Sequence, residues 1–254
     1  MPKRHHISVV INVRNEAQNL EKCLRSLKNF ADEIIVVDSG SRDNTVALAR
    51  SLGAKVLETD WPGYGIQKQR ALDLATQEWV LSLDADEFLE PGAQAEIEHA
   101  IQDSQIDAYQ LPRQMVFYNR VLKYAAYEKK HIRLFRRSKA QFSLDPVHEK
   151  VLVKEGANIQ KLRLNILHDC YRDWTDAVAK MNRYSSLSAG MRRQKAKKTS
   201  FIKALLSSNW MFLKSYIFQA WCLDGVPGFA LALYQAQGSW FRYMKQMYPD
   251  QEYQ

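Results

Sequence analysis

The sequence predicts an α/β fold built on a mostly parallel sheet. In the first 90 residues, four short runs rich in β-branched and other apolar residues alternate with segments of helical periodicity. A cluster of polar residues follows directly after each run. Parallel strands of an open sheet end at a common edge, and ligands bind there. The repeated order of strand, polar cluster and helix therefore predicts a binding site at that edge.

The predicted elements follow one another along the chain. The four strands are expected at residues 7–13, 33–37, 55–59 and 79–83. Asn15 and Gln18 resemble a capping pair at the start of the first helix. Gly53 closes the second helix, and the third helix is expected to end at about Thr76. Further on, residues 108–118 and 131–136 read as strands of a β-rich region that extends to His168.

Carboxylates at two strand ends are the first candidates for a site. Asp84 and Asp86, separated by one small residue, suit a divalent cation such as Mg²⁺ or Mn²⁺, which leaves coordination positions open for phosphate oxygens. The alternative is a solvated acidic turn. Asp38 is placed to accept hydrogen bonds from a base or ribose, or else belongs to a helix cap. No glycine-rich phosphate loop is present, so metal and side chains would neutralise phosphates.

Length and cysteine content limit the class of protein. The 254 residues, 46% of them hydrophobic, are enough for one large domain or for one domain with an appendage. Three cysteines at Cys23, Cys170 and Cys222 have no paired spacing, which indicates neither a disulfide framework nor a zinc site. Residues 1–6 lead directly into a strand and do not resemble a signal peptide, so we expect a cytoplasmic protein.

The net charge of +8 is concentrated in the carboxyl third. Residues 177–223 contain no acid, whereas they contain nine basic residues: Lys180, Arg183, Arg192, Arg193, Lys195, Lys197, Lys198, Lys203 and Lys214. Trp174, Val178, Met181 and Leu187 predict an amphipathic helix that leads into this segment. The segment contains no convincing membrane span, and it reads either as a peripheral membrane surface or as a helical subdomain with a solvated basic face. Nucleic acid is disfavoured because the remaining sequence is slightly acidic.

Three motifs in order resemble those of family 2 glycosyltransferases of the GT-A fold. They are ISVVINVRNE at residues 7–16, IIVVDSGSRDNT at residues 34–45 and LDADE at residues 83–87. Beyond them, RLFRR at residues 133–137, VHE at residues 147–149 and the basic, aromatic carboxyl end resemble the branch that builds the lipopolysaccharide inner core. The likeness is to β-glucosyltransferases of the WaaE or LgtF type that extend heptose.

The resemblance implies an inverting transfer from a nucleotide-sugar donor, UDP-glucose, with a divalent metal and a lipid-linked oligosaccharide acceptor at an anionic membrane surface. The enzyme would lie on the inner membrane. The implied donor-binding residues are Asn12, Arg14, Glu16, Asp38, Asp60, Lys68, Arg70 and Asp84. The implied metal ligands are Asp84, Asp86 and His168, although His168 could equally be a half-buried structural histidine. The implied acceptor or phosphate ligands are Arg133, Arg136 and Arg137.

Inverting transfer needs a carboxylate that takes the proton of the acceptor hydroxyl. Asp145 and Glu149 are the candidates, and Glu149 matches the base-bearing turn of the family better. Either acid could instead form an ion pair with one of the three arginines.

The expected organisation is a GT-A catalytic domain at residues 1–172, with a nucleotide-sugar half at 1–105 and an acceptor half at 106–172, followed by a basic helical region at 173–254. Three other functions are weighed. A nucleotidyltransferase needs a glycine-rich loop after its first strand, and residues 12–16 contain no glycine. A nonenzymatic membrane-binding protein leaves the strand-end acids unused. Transfer to another lipid-linked or cell-envelope acceptor stays open, and so does the oligomeric state.

Overall fold

The computed structural model describes residues 7–125, 131–145 and 149–249. The chain divides into two compact units, and each is described by itself. The first unit comprises Met1–Arg113 and Glu128–Asp169, and the second comprises Gln114–Tyr127 and Cys170–Gln254. Residues 114–127, which the sequence interpretation places in the acceptor half, thus belong to the second unit.

The first unit is a mixed α/β structure. Its strands are β1 (Ile7–Val13), β2 (Glu33–Asp38), β3 (Lys55–Glu58), β4 (Trp79–Asp84), β5 (Glu87–Leu89), β6 (Ala108–Leu111), β9 (His131–Arg136), β10 (Ala140–Phe142), β11 (Val151–Val153), β12 (Ile159–Lys161) and β13 (Ile166–Asp169). Its helices are α1 (Ala17–Ser26), α2 (Thr45–Ser51), α3 (Tyr64–Leu74) and α4 (Ala93–Ala100). Strands β7 (Arg113–Phe117) and β8 (Arg120–Val121) form an antiparallel hairpin at the start of the second unit.

A seven-stranded sheet in the order β12-β6-β9-β4-β1-β2-β3 forms the centre of the first unit. The pairs β4–β1, β1–β2, β2–β3 and β12–β6 are parallel, and β9 runs antiparallel to both of its neighbours. Outside this sheet, β5 pairs with β13 and β10 pairs with β11, both antiparallel. The predicted mostly parallel α/β fold is confirmed.

Both faces of the central sheet are buried. On β1, Val9 and Ile11 belong to the apolar cluster on one face, and Val10 belongs to the cluster on the other face. A parallel strand covered on both sides reads as a continuous apolar run, and residues 7–13 show that pattern. The four strands predicted from such runs occur within about one residue of their expected bounds.

Two local predictions in the first 120 residues are wrong. Glu16, not Asn15, is the N-cap residue of α1, and its side chain makes no capping hydrogen bond. Asn15 has a left-handed φ of 56°, and its side-chain oxygen accepts a hydrogen bond from the Arg42 N–H at 2.8 Å. The strand expected at residues 108–118 is divided into β6 and β7, with Pro112 between them, because proline has no N–H for a sheet ladder.

The second unit contains the hairpin and three long helices. They are α5 (Trp174–Gln194), α6 (Phe201–Leu213) and α7 (Val226–Met247). A π-helical turn, Lys214–Phe218, and a 3₁₀ turn, Trp221–Asp224, connect α6 to α7. Asp173 and Ser200 cap α5 and α6 by accepting hydrogen bonds from backbone N–H groups.

Helix α5 is confirmed, and most of the apolar residues whose spacing predicts it lie at the surface. Val178 and Leu187 are 51% and 54% exposed, whereas Met181 is buried. The buried side of α5 otherwise carries the small residues Ala177, Ser185 and Ala189. Small side chains allow α7 to approach closely, and the bulky apolar residues remain at the surface. Among the described residues, no helix is both long and apolar enough to cross a membrane.

Candidate active site

Neighbouring strands of the central sheet bring three of the predicted donor-binding residues together. The register places Asn12 on β1 opposite Val37 on β2 and opposite Asp84 on β4. Asp38 is the last residue of β2, opposite Val13. The polar ends of β1, β2 and β4 therefore form one continuous edge, as the sequence predicts for parallel strands.

Asn12 is the residue of this edge whose side-chain amide has no hydrogen-bond partner among the described residues. Within the described part of the chain, neither its Oδ1 nor its Nδ2 makes a hydrogen bond, although both atoms are buried. A buried amide without partners is costly, so the position suits a residue that meets a ligand. Arg14, two residues on, is exposed, and Glu16 accepts a hydrogen bond from the Asn19 amide at 2.7 Å.

Asp38 orders the loop that follows β2. One carboxylate oxygen accepts the N–H groups of Gly40 and Ser41, each at 2.9 Å, and the other accepts the Ser41 hydroxyl. Gly40 has a φ of 85°, which a glycine adopts without strain. Asp38 is 1% exposed, so its main interactions in this structure are with its own loop.

Asp60 and Arg70 form an ion pair on the other side of this loop. Their Oδ1 and Nη1 atoms are 2.6 Å apart, and Arg70 lowers the pKa of Asp60 by hydrogen bonding. Gln67 is fully buried and donates to both the Ser39 hydroxyl and the Asp60 carbonyl, at 2.8 and 2.9 Å. Gln67 therefore links the loop after β2 to the segment that precedes α3.

Asp84 lies between two buried cations. Lys68 on α3 donates to one carboxylate oxygen at 2.8 Å, and Arg133 on β9 donates to the other at 3.1 Å. Burial opposes ionisation of Asp84, but the charges of Lys68 and Arg133 outweigh it and hold its pKa well below the usual range. Burial also opposes the charge of Lys68, and the neighbouring carboxylates outweigh it, so the pKa of Lys68 is raised. Asp84 is thus an anion at neutral pH.

The same ammonium reaches the candidate base. Lys68 Nζ is 2.8 Å from Glu149 Oε1, and the Glu149 side chain is 16% exposed. Asp145, the other candidate, is exposed, and its backbone carbonyl accepts the Gly65 N–H at 3.1 Å. The structure therefore brings Glu149, and not the Asp145 carboxylate, into the buried charge cluster. Val147 and His148 of the predicted motif lie outside the described residues.

Gly65 permits the close approach of this loop to α3. A Cβ atom on Gly65 would lie 2.1 Å from the Ser143 carbonyl oxygen and 2.8 Å from the Asp145 carbonyl oxygen. Both distances are far below van der Waals contact, so only glycine fits here. The first turn of α3 and residues 143–145 are thereby held against each other.

Asp86 and His168 meet next to the charge cluster. Asp86 Oδ2 is 3.1 Å from His168 Nε2, and antiparallel pairing of β5 with β13 places His168 opposite Glu87. Within the described ranges, no three His, Cys, Asp or Glu side chains converge as a metal cage. One carboxylate and one imidazole nevertheless fit a divalent cation that takes its other ligands from a diphosphate and water. Asp84 is engaged by its two cations, which leaves Asp86 and His168 as the fitting pair.

Two of the predicted acceptor-binding arginines lie at the opposite end of the sheet. Arg136 is opposite Trp79, at the start of β4, and its guanidinium lies over the Trp79 ring at 4.6 Å. Arg136 also pairs with Glu78, and the Arg137 N–H donates to the Glu78 carbonyl. The structure does not bring Arg136 or Arg137 to the strand ends, whereas it does bring Arg133 there.

Sequence reasoning gave no role to Glu87 or Arg113. Glu87 is completely buried and accepts from Arg133 at 2.7 Å and from Arg113 at 3.2 Å. Its second oxygen accepts the Asp84 N–H at 2.9 Å. Glu87 is therefore the carboxylate that orients Arg133 and the acidic turn. The only sequence signal for this role is the position of Glu87 in the acidic motif. An acid in such a motif is more readily interpreted as a ligand of a metal or donor than as a residue that orients its neighbours.

The comparisons with known proteins agree with this geometry. The family model described as Glycosyl transferase family 2 matches residues 8–156. An uncharacterised glycosyltransferase of Rickettsia bellii is 34% identical over 251 residues, which cover 94% of this chain and 85% of that protein. The lipopolysaccharide core biosynthesis glycosyltransferase LpsC of Rhizobium meliloti is 30% identical over 89% of this chain and 86% of that protein.

Among solved structures, S. aureus TarS residues 1–349 in complex with UDP has a TM-score of 0.51 and 15% sequence identity. The similarity covers 95% of this chain and 90% of that chain. At this identity the likeness concerns the fold, and it extends over both units of the chain.

Proposed function

Because the chain belongs to glycosyl transferase family 2, we propose that it transfers glucose from UDP-glucose to a heptose of the lipopolysaccharide inner core. That it is a glycosyltransferase follows from the family and from its full-length relatives. The inner-core acceptor is supported by the similarity to LpsC, whose name assigns it to core biosynthesis. The donor is supported by the motifs at residues 7–16, 34–45 and 83–87.

One observation carries the assignment of roles. Lys68 lies 2.8 Å from Asp84 at the strand ends and 2.8 Å from Glu149 in the following loop. A donor-binding carboxylate and a base must lie close together, because the bond that forms and the bond that breaks share one anomeric carbon. We assign Asp84 to the donor, with Asn12 as a hydrogen-bonding partner.

Asp86 and His168 would hold a divalent metal, which neutralises charge on the departing diphosphate when bound. Lys68 and Arg133 add two fixed positive charges beside it. Buried cations that are already oriented stabilise developing charge without reorganisation. These two residues would therefore contribute to binding of the diphosphate in addition to the metal.

Glu149 would act as the general base. As the acceptor oxygen attacks the anomeric carbon, Glu149 takes its proton, the bond to the diphosphate breaks, and the configuration at that carbon inverts. The Glu149 carboxylate is held by Lys68 rather than by an arginine.

The proposal includes a place for the enzyme on the cytoplasmic face of the inner membrane. A lipid-linked acceptor lies in the membrane, and anionic headgroups attract polybasic surfaces. Lys195, Lys197 and Lys198 are exposed in a stretch without acids. Their charge supports attachment by electrostatic attraction.

The proposal is tested by incubating the purified protein with a panel of nucleotide sugars and with heptose-terminated lipopolysaccharide cores. We expect UDP-glucose to be consumed and glucose to appear on heptose. Asp86→Asn should nearly abolish transfer, because a lost ligand charge weakens metal binding. Glu98→Gln, an exposed acid on α4, is the matched control.

Three results would contradict parts of the proposal. Transfer that a chelator leaves undiminished would remove the metal from the mechanism. Consumption of another nucleotide sugar would change the donor. Transfer to a different lipid-linked or cell-envelope acceptor, with heptose inert, would change the acceptor and keep the enzyme class.

A further inference from the structure

Most of the bulky apolar residues of helix α6 are exposed, whereas the small residue Ala204 is fully buried. Six exposed apolar residues lie along α6 and the π-helical turn that follows it: Ile202, Leu205, Leu206, Trp210, Leu213 and Ile217, with exposed fractions between 41% and 67%. We call these six residues the apolar stripe. An amphipathic helix of a soluble protein normally turns such a stripe toward the core. In α6 the arrangement is reversed.

The opposite side of α6 packs against α7 through small and polar side chains and through the half-buried Phe212, whose ring lies 5.7 Å from that of Phe229. Ala204 is fully buried, and the Ser207 hydroxyl lies 3.0 Å from the Ser239 hydroxyl. The Ser208 hydroxyl donates to the Ala236 carbonyl at 2.9 Å. Small residues and interhelical hydroxyl bonds at a helix contact, with bulky apolar residues facing outward, are typical of helices surrounded by lipid.

The charges around the stripe indicate what covers it. Lys203 and Lys214 are exposed at the two ends of α6. Residues 177–249 contain eleven Lys and Arg but a single acid, Asp224. Asp224 is buried, and it accepts the backbone N–H groups of Lys123, Tyr124 and Ala125. This part of the second unit therefore presents positive charge and apolar side chains together, with no exposed carboxylate.

We infer that the apolar stripe inserts into the interface of an anionic lipid bilayer, with α6 lying in the membrane plane. A helix of 13 residues is about 20 Å long, too short for a hydrocarbon core of about 30 Å. A helix with one apolar side and lysines around it instead lies at the headgroup boundary. Trp210, 5.7 Å from the exposed Phe218 ring, is the kind of side chain found at that depth.

A second copy of this chain fits the stripe less well. Pairing two stripes would bring two sets of lysines together, and like charges at a contact oppose association. Anionic headgroups neutralise the same lysines. The inference deepens the proposed function, because it rests on an acceptor carried by a lipid and adds apolar penetration to electrostatic attraction.

The test compares two triple variants that change exposed apolar residues. Ile202→Gln, Leu206→Gln and Trp210→Gln alter the stripe, whereas Leu74→Gln, Leu152→Gln and Ile159→Gln alter exposed positions of the first unit. Binding is measured by cosedimentation with vesicles of phosphatidylcholine and phosphatidylglycerol. A parallel series in about 1 M salt reduces the Debye length to about 3 Å and isolates the apolar contribution.

We expect the wild type and the first-unit variant to retain vesicle binding in high salt. The stripe variant should lose it, with a partition coefficient lower on the order of a hundredfold, because three bulky side chains no longer leave water. Its circular dichroism should match that of the wild type, since the changed residues are exposed. Hydrolysis of UDP-glucose, measured without lipid, should be equal in all three proteins, which separates this inference from the proposed activity.

Two outcomes would overturn the inference. One is salt-resistant vesicle binding by the stripe variant equal to that of the wild type. The other is a wild-type dimer in lipid-free solution that becomes a monomer in the stripe variant while vesicle binding stays unchanged. The second outcome would assign the stripe to contact between copies.

Discussion

At the scale of single residues, Lys68 is the buried cation that connects the proposed donor-binding acid to the proposed base. It is 7% exposed, and its ammonium contacts Asp84 and Glu149, while Arg133 lies on the far side of Asp84. A buried cation is stable only when carboxylates surround it. We therefore expect substitutions in the charge cluster to change ligand binding and stability to different extents.

The catalytic role of Glu149 is tested by Glu149→Gln. Because a general base acts in the transition state, we expect turnover to fall on the order of a hundredfold or more, with donor affinity nearly unchanged. Asp145→Asn, on an exposed side chain, should be nearly silent. Steady-state kinetics and donor titration measure the two effects. The reverse pattern would move the role to Asp145, and unfolding of Glu149→Gln would make the residue structural.

The ionisation of Asp84 predicts how stability depends on pH. Its pKa is well below normal in the folded chain, so its contribution is complete above its unfolded pKa of about 3.9 and is lost as the pH falls through the folded pKa. Asp84→Asn should lower the free energy of unfolding at pH 7 by about 1–2 kcal/mol, a value reduced for solvent screening because the side chain is 35% exposed. Urea unfolding should show the gap between the two proteins narrowing below pH ~4. A gap that is constant with pH would contradict this assignment.

At the scale of elements, the contact between α3 and the loop at residues 143–145 shapes the site. Gly65→Ala would place a methyl group 2.1 Å from the Ser143 carbonyl oxygen, so the loop must move. We expect the free energy of unfolding to fall by about 1–3 kcal/mol, and turnover to fall at least about tenfold as Glu149 is displaced.

Gly190→Ala on α5 is the matched control for this change. A Cβ atom at Gly190 meets nothing within 4 Å, and alanine favours helix by up to about 1 kcal/mol. The Gly190→Ala variant should have unchanged turnover and an equal or higher free energy of unfolding. Thermal unfolding and transfer assays distinguish the two variants. Wild-type turnover in Gly65→Ala would show that the loop contact does not position the base.

Elements also show what can be predicted from the sequence. Strands β1, β2 and β4 were predictable because continuous apolar runs signal burial on both faces. The hydrogen bond that the Asn15 side chain accepts was not predictable, because its donor, the Arg42 N–H, comes from a loop 27 residues away. That Glu87 orients Arg133 could not be predicted for the same reason, because the two residues are 46 positions apart in the sequence. Local patterns report burial, whereas polar partners depend on the tertiary fold.

The buried face of α5 shows a different limit. The spacing of Val178, Met181 and Leu187 predicts an amphipathic helix, and the apolar side of such a helix normally faces the core. That rule assumes water on the outside of the molecule. If the second unit contacts lipid, small residues are buried between its helices and bulky apolar residues face the lipid. The positions of the bulky apolar residues then do not predict which side of α5 is buried.

At the scale of the whole molecule, charge is distributed unevenly, and this gives a salt-dependent prediction. Replacing Lys195, Lys197 and Lys198 by Gln should weaken binding to anionic vesicles at physiological salt, since each lysine near the surface contributes roughly 1 kcal/mol. Raised salt should have the same effect on the wild type, because the Debye length is only about 8 Å at about 0.15 M. These three residues are chosen because Arg192 and Arg193 bond to Gln246 and the Lys245 carbonyl, and changing them could disturb folding.

Lys28→Gln, Lys154→Gln and Lys161→Gln form the control, with the same loss of charge on exposed residues of the first unit. Vesicle cosedimentation and hydrolysis of UDP-glucose are measured together. We expect equal hydrolysis in both triple variants and weakened membrane binding in the first alone. Equal binding by the two would show that the segment at residues 195–198 is a solvated face.

Asp224 has a consequence for how the chain can be divided. Its carboxylate binds three N–H groups of residues 123–125, which are separated from it by about 100 positions, so the second unit consists of two stretches of chain. A fragment beginning at Cys170 would lack the hairpin and leave a buried anion without donors. We expect this fragment to give poorly cooperative thermal unfolding by circular dichroism, and a cooperative transition would contradict this. The carboxyl-terminal helices are therefore not a detachable module, because the second unit also needs the earlier segment that contains residues 123–125.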